Sequence, residues 1–325
     1  RNRHSLRAVP ASFPILDGHR VLCYNFSKKE GIAMEFRVLQ YFLAVAREQS
    51  LSGAAESLHL SQPTLSRQLK DLEDELGKQL FTRSNKGIAL TEEGMILRKR
   101  AEEIVLLMKK TEDEIALSDE AVSGNVYIGA GESDVNRLLG RAAFQLREHY
   151  PDISFHISSG NAVFVLEQLD RGLIDFGLVY GPVDHAKYDF FRLPQPDAFG
   201  VYMRRDSPLA EKEYIGPEDL ADKPLIVSAQ EETEGWQNLQ HIFPGIQLNI
   251  VATYTLLFNG ALLVEEGLGY AICFDKLVNT RGTNLCFRPL RPTIETTASV
   301  IWKKYQLLSK PAQKFLEKMR ELCGA

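Results

Sequence analysis

Between positions 36 and 76, apolar residues recur three and four places apart, and the breaks between runs carry residues that end and start helices. Phe36, Leu39, Tyr41, Phe42, Leu43 and Val45 give the apolar side of a first helix from Met34 to Arg47, with Tyr41 and Phe42 read as packing groups. A short second helix follows Ser50, and Ala54, Ala55 and Leu58 give it a small face that another helix can approach closely. His59-Leu60-Ser61 makes the turn. Ser61 suits the cap of a third helix, Pro63 falls in its first turn, where a missing N–H costs nothing, and Leu65, Leu69, Leu72 and Leu76 line one side. The other side presents Gln62, Thr64, Ser66, Arg67 and Lys70. These amide, hydroxyl and cationic groups suit base edges and phosphates when a helix N-terminal half enters a major groove. Gly77 then stops the helix, and Leu80-Phe81 opens a strand. Ser84-Asn85-Lys86-Gly87 has turn chemistry and Ile88-Ala89-Leu90 returns, a hairpin that carries Arg83 and Lys86 beside the phosphates; Lys86 has an equal reading as a solvated turn lysine.

Downstream, the pattern predicts one long helix to about Val122, roughly 45 Å at 1.5 Å per residue. Leu97, Ala101, Ile104, Met108, Thr111, Ile115, Ser118 and Val122 alternate spacings of four and three, the seam of a helix that pairs with another helix. The competing reading is a helix packed on its own domain. Heavily charged flanks, among them Arg98, Glu102, Glu103, Lys109 and Lys110, favour the dimer seam because they leave little apolar surface for intramolecular packing. From Gly124 the texture becomes strand and helix in alternation. Strands are expected at Val126 to Ala130, Ile153 to Ser158 and Phe176 to Tyr180, with helices at Asn136 to Tyr150 and Val163 to Arg171. The texture repeats with strands at Phe199 to Met203, Leu225 to Ser228, Gln247 to Ala252 and Tyr270 to Phe274, and a helix at Thr255 to Glu266. Such alternation predicts doubly wound sheets with ligands at the strands' carboxyl ends.

The stretch from Ser50 to Arg83, SLSGAAESLHLSQPTLSRQLKDLEDELGKQLFTR, resembles the DNA-binding signature of the LysR-type transcriptional regulators almost position for position. The likeness continues through Thr91-Glu92-Glu93-Gly94 to about Leu322. It implies an N-terminal all-α winged helix–turn–helix (34–92), a long linker helix for dimerisation (93–122) and an α/β effector-binding domain (123–325) of periplasmic-binding-protein type. That domain would have a first lobe at about 124–195 and 295–325 and a second at about 196–294. The chain would cross near Leu193 to Ala198 and again near Pro289 to Ile294, with Ser299 to Lys303 and the helix Lys310 to Leu322 completing the first lobe. The resemblance further implies antiparallel pairing of linker helices in a homodimer, a homotetramer through effector domains, promoter DNA as partner and RNA polymerase as a further candidate partner. The DNA-facing residues would be Ser61, Gln62, Pro63, Thr64, Ser66, Arg67, Lys70, Arg83 and Lys86, and the seam Leu97, Ala101, Ile104, Met108 and Ile115.

Charge qualifies this picture, since the formal net charge is -5 and residues 34–92 hold seven basic against eight acidic residues. Distribution carries the DNA reading: Asp71, Glu73, Asp74 and Glu75 cluster at the far end of the third helix, away from Arg67 and Lys70. Affinity then has to come from several chains adding modest phosphate contacts. No apolar run approaches the roughly 20 residues that span a bilayer, and no export signal opens the chain, so a cytoplasmic protein is expected. Cys23, Cys273, Cys286 and Cys323 stand far apart, which fits ordinary thiols in a reducing compartment. Residues 1–33 do not fit the pattern that begins at Met34. They read as translated leader, because Lys28-Lys29-Glu30-Gly31 is encodable by a purine-rich ribosome-binding sequence; the alternative is a basic arm touching DNA or membrane.

Effector candidates are the polar residues at the expected strand ends: Glu132, Ser133, Ser159, Asn161, Tyr180, Ser228, Thr253 and Tyr254. Hydroxyls and N–H groups there favour a carboxylate or other anion, whereas Glu132 opposes a purely anionic ligand and suits an amine or hydroxyl. Each hydroxyl also reads as an ordinary cap. Asp175 reads as a structural residue before its strand, and Gly267 and Gly269 as turn glycines. No metal spacing, catalytic triad order or cofactor motif is present, so neither an enzyme nor a resident cofactor is expected. The remaining rival is a cytoplasmic solute-binding protein or sensor with an appended DNA-binding domain.

Overall fold

The computed structural model describes residues 34–84, 87–116, 122–229, 243 and 245–324, at 83, 84, 113, 114 and 116 for the backbone alone. Two compact units divide between Ile96 and Leu97.

The first unit packs α1 (Phe36–Glu48), α2 (Leu51–Ser57) and α3 (Gln62–Leu76) around Leu39, Phe42, Val45, Ala54, Ala55, Leu65, Leu69 and Leu72, all buried. Phe36, Tyr41, Leu43 and Leu76 are only partly buried, so the core is narrower than the periodicity predicts. Ala54 and Ala55 are almost wholly covered, as close approach of a neighbouring helix requires. Ser50 caps α2, accepting from Gly53 N at 3.2 Å, and His59 takes the left-handed φ of 55° that turns the chain towards α3. The hairpin of β1 (Phe81–Ser84) and β2 (Gly87–Leu90) pairs antiparallel, with Phe81 opposite Leu90. Its base is pinned by Glu73, whose Oε1 accepts from Leu80 N at 2.7 Å and Phe81 N at 3.2 Å. One of the acids expected merely to cluster away from DNA therefore holds the wing. Thr91 caps α4 (Glu92–Ala116), accepting from Gly94 N at 3.0 Å. Gly94 is required there, since a Cβ would come within 2.2 Å of the Leu80 carbonyl oxygen.

The second unit has two lobes of like construction. In the first, β4 (Ile153–Ser159), β3 (Gly124–Ala130) and β5 (Phe176–Val179) run parallel, and β11 (Glu295–Lys303) joins β5 antiparallel. Helices α5 (Asn136–His149) and α6 (Ala162–Asp170) and the C-terminal α9 (Lys310–Cys323) cover that sheet. In the second lobe, β8 (Asn249–Tyr254), β7 (Pro224–Ser228) and β9 (Tyr270–Phe274) run parallel, accompanied by α7 (Pro217–Leu220) and α8 (Leu257–Glu265). The runs PLIVS and YAICF are apolar throughout because both faces of that sheet are buried: Leu225, Val227 and Ile272 on one side, Ile226, Ala271 and Cys273 on the other.

A single strand, β6 (Tyr188–Arg204), serves both lobes. It pairs with β11 over Tyr188–Ala198, with β9 over Phe199–Tyr202 and with β10 (Leu285–Pro289) over Gly200–Arg204. The sequence predicts only its last third as strand and gives no sign of β10. Pro194 and Pro196 hide the continuity, because proline normally interrupts a ladder. Here they lie where the register with β11 shifts, between Thr297 and Ser299, and the strand passes from one lobe to the other.

The linker seam is corrected in part. Helix α4 is described as far as Ala116, so the expected Ser118 lies outside the described residues. Ala101 is fully buried within this chain and is no part of a free seam, and Leu97 is half-buried. Ile104, Met108 and Ile115 remain exposed. The charged flanks are not all solvated either. Lys110 is 8% exposed, with Nζ donating to Asp175 Oδ1 at 2.7 Å and to the Gly172 carbonyl at 3.1 Å, and it lies 4.9 Å from the Tyr127 ring centroid. Arg171 reaches Glu103 at 2.6 Å. Helix α4 thus docks on the first lobe through ionic groups, a contact that hydrophobic periodicity cannot register. Asp175 takes the structural role expected of it, its Oδ2 also accepting from Tyr127 N at 2.8 Å. Residues 1–33 and Lys86 lie outside the described residues, as does the side chain of Arg83.

Candidate functional site

Helix α3 presents its polar face as its sequence dictates. Ser61 caps it, Oγ accepting from Thr64 N at 3.3 Å, and Gly77 ends it at φ 63°. Gln62, Pro63, Thr64, Arg67 and Lys70 are exposed and Ser66 is half-exposed, while Leu65, Leu69 and Leu72 face the core. Several of the candidates have local partners: Ser61 Oγ lies 2.7 Å from Thr64 Oγ1, and Gln62 Oε1 accepts from Ser52 Oγ at 3.4 Å. Arg67 sits 3.9 Å from Asp71, an exposed pair weak enough for a phosphate or guanine edge to displace.

The second candidate site is a cavity of about 500 Å³ at the carboxyl ends of strands from both lobes. Of the eight effector candidates, Glu132, Asn161, Tyr180, Ser228 and Tyr254 line it. Ser133, Ser159 and Thr253 do not. Ser159 and Thr253 are exposed, each at the end of an edge strand of the sheet, where the alternation of side chains turns it away. Ser133 is buried at 6% exposure and already committed: Oγ donates to Asp197 Oδ2 at 2.7 Å and accepts from Val135 N at 3.0 Å. The Tyr180 hydroxyl donates to the same Asp197 oxygen. Burial pushes the Tyr180 hydroxyl well above its ordinary pKa, and Asp197 adds to the shift. Asp197, on the crossing strand β6, therefore ties the ends of β3 and β5 to the junction between lobes. Its sequence neighbours give no hint of this, because its partners lie 64 and 17 residues away.

Glu132 bridges the lobes directly. It follows β3 in the first lobe, and its Oε2 accepts from Leu257 N, at the start of α8 in the second. Leu256, the cap position of α8, has no side-chain cap of its own, so a carboxylate 125 residues away satisfies that helix end. Asn161 is occupied as the cap of α6, with Oδ1 accepting from Phe164 N at 2.9 Å. Tyr254 is fixed by its hydroxyl, which donates to the Ile272 carbonyl at 2.8 Å, and by Gly260, where a Cβ would come within 2.9 Å of the ring. Thr255, in the strand end expected to face the cleft, lines it too, whereas sequence reading missed much of the wall, including Phe199, Phe274, Leu277 and Ile294 on the apolar side and Glu295 and Thr296 on the polar side. Phe274 lies 4.5 Å from Phe199 and 4.8 Å from Tyr180, ring centre to ring centre. Ile294 to Thr296 belong to the returning crossover, whose role depends on strand pairing rather than local pattern. Among the described residues, no group of three or more His, Cys, Asp or Glu could hold a metal ion, and no helix is long and apolar enough to cross a membrane.

Comparison with known proteins agrees with this architecture. The family model of the bacterial regulatory helix–turn–helix protein, lysR family, matches residues 36–95, and that of the LysR substrate binding domain matches 119–324. The transcriptional regulator BsdA of Bacillus subtilis is 31% identical over 87% of this chain and 99% of its own length. The dual regulator OxyR of Escherichia coli is 30% identical over 60% of this chain and 63% of its own. The crystal structure of CbnR, a LysR family regulator, superposes with a TM-score of 0.71 over 89% of this chain and 99% of its own; at 21% identity this likeness concerns the fold. CbnR bound to its target DNA gives a TM-score of 0.67 at 22% identity, again with 89% of this chain covered and 99% of CbnR. With a reading helix of matching signature, a two-lobed domain, family models over both parts and a regulator, BsdA, that matches along nearly its whole length, this chain belongs to the LysR family of DNA-binding transcriptional regulators with effector-binding domains.

Proposed function

We propose that this regulator binds promoter DNA as a homodimer through α3 and the β1–β2 wing, and that a small molecule in the inter-lobe cleft tunes that binding. The observation that carries the effector reading is the cleft itself: five polar candidates drawn from separate strand ends converge on one cavity of about 500 Å³, a size suited to a metabolite. Pairing is supported by Ile104, Met108 and Ile115, which stay exposed along α4 at spacings of four and seven. Exposed apolar surface on α5 and α8, with Phe144 and Phe258 each 68% exposed, offers further faces for assembling a tetramer. Such a protein works beside the chromosome, in the cytoplasm. Likeness to the hydrogen peroxide-inducible genes activator of Dickeya chrysanthemi raises peroxide sensing as a second reading, but burial pushes the thiols of Cys273, Cys286 and Cys323 upwards, away from the reactive thiolate.

Footprinting of the region upstream of the protein's own gene tests the whole reading. Paired half-sites about one or two helical turns apart are expected. A Thr296→Trp variant, which fills the cleft, should still protect them while losing any response to an effector.

A further inference from the structure

We propose that the effector is an amphipathic amine, an ammonium held by Glu132 and Glu295 with an apolar or aromatic body against Phe199, Phe274 and Tyr180. This rests on the cleft being the effector site. Among the described lining residues, the two charged ones are both acids, Glu132 and Glu295. Two helix starts face the cleft and could attract an anion, and each already has a side-chain acceptor: α6 has Asn161 through Phe164 N, and α8 has the Glu132 carboxylate through Leu257 N. A ligand carboxylate at α8 would have to displace Glu132 and would share the cavity with it and with Glu295, and like charges in a partly enclosed site repel. An ammonium meets the opposite situation. Glu132 accepts from Leu257 with Oε2 alone, which leaves Oε1 without a hydrogen bond among the described residues and able to accept from a ligand N–H.

The rest of the wall suits the same molecule. Tyr180, Phe274 and Phe199 form a chain of rings with centroids 4.8 and 4.5 Å apart, and ring faces attract cations as well as apolar bodies. Ile272 and Leu277 extend the apolar floor, and Ser228 and Thr296 add hydroxyl chemistry. The Cys273 thiol, which also lines the cleft, is pushed up by burial and further by Asp275 and Glu132, so the field there is negative. Because Glu132 is the first-lobe group that caps α8 of the second, an ammonium drawing on its carboxylate also changes the contact between the lobes.

Isothermal titration of the full chain with matched probes tests the assignment: benzylamine, phenethylamine and tryptamine against benzoate, phenylacetate and indole acetate. The amines are expected to bind at least about tenfold more tightly than the acids, and Glu132→Gln and Glu295→Gln each to weaken amine binding by about three- to tenfold. Glutamine keeps an oxygen for Leu257 N, so thermal unfolding of Glu132→Gln should stay near that of the unaltered protein. Acids binding as tightly as amines, no amine binding, or amine affinity unmoved in both variants overturns the inference. Thr296→Trp separates this failure from failure of the cleft reading. If acids bind and Thr296→Trp abolishes it, the cleft stands and the amine falls; if amines still bind to Thr296→Trp unchanged, the cleft reading falls.

Discussion

Ser133 has the hydroxyl chemistry of a ligand contact, yet its surroundings assign it elsewhere. Buried beneath the cleft, it gives its proton to Asp197 and accepts from Val135 N. Ser133→Ala removes one of the two side-chain donors serving Asp197 Oδ2, Tyr180 supplying the other. The expected loss is about 1–3 kcal/mol of stability in urea unfolding, the usual result of stripping a buried polar group of its partner. Ser159→Ala, at an exposed position, should stay within about 0.5 kcal/mol. A second expectation concerns alkali. Cys273 is neutral and its pKa is raised well above its ordinary 9.0, first by burial and then by Asp275 and Glu132. The unfolded chain releases that thiol proton near the ordinary value while the folded one retains it. Stability is therefore intact below about pH 8.5 and declines as pH rises beyond it. Urea midpoints at increasing pH should fall less steeply for Cys273→Ala; an identical fall would remove Cys273 as a contributor.

Secondary-structure elements carry the contacts with DNA and between subunits. On α3, Arg67 is exposed and held only by a 3.9 Å pair with Asp71. Arg67→Ala should weaken specific DNA binding by about 1–3 kcal/mol and relax preference at one base position if it reads guanine. A uniform loss on all sequences with a shallower salt dependence would make it a phosphate contact instead, and mobility shifts on specific and scrambled duplexes distinguish the two. On α4, one helix serves two purposes: Glu103 and Lys110 dock it on the first lobe, and Ile104, Met108 and Ile115 remain exposed. Ile104→Asp places an unpaired charge where a partner helix would desolvate it, so sedimentation at micromolar concentration should show dimers dissociating while the circular dichroism of the fold is kept. An intact dimer would move the interface off this stripe. Helix α3 was legible in sequence because its capping, turn and apolar signals are local. Half of α4 was not, since Lys110 is recognisable as a buried ion only once Asp175, 65 residues on, is beside it.

For the whole molecule, binding of effector and DNA must be linked reciprocally if the cleft regulates transcription. Coupling of about 1–3 kcal/mol is typical, which means that operator DNA should change effector affinity by the same factor by which effector changes operator affinity. Titrating each ligand in the presence and absence of the other measures both factors, and unequal values would rule out a simple two-state linkage. Sequence by itself determined the helices of the reading domain and the strand and helix alternation after Gly124, whereas the division into two lobes with a cleft between them came from the resemblance to the LysR family. The helices and the alternation follow from periodicity, caps and turn residues acting over a few positions. Tertiary structure decided which polar residues face that cleft. Ser159 and Thr253 share the chemistry of Ser228 but not its outlook, because register and edge position set direction, and Ser133 is turned inward to Asp197. It also decided that β6 runs unbroken through two prolines, that Glu73 pins the wing and that Glu132 caps a helix of the opposite lobe. Each of these joins groups far apart in the chain, and a hydrogen bond between distant residues leaves no periodic trace in the sequence that encodes it.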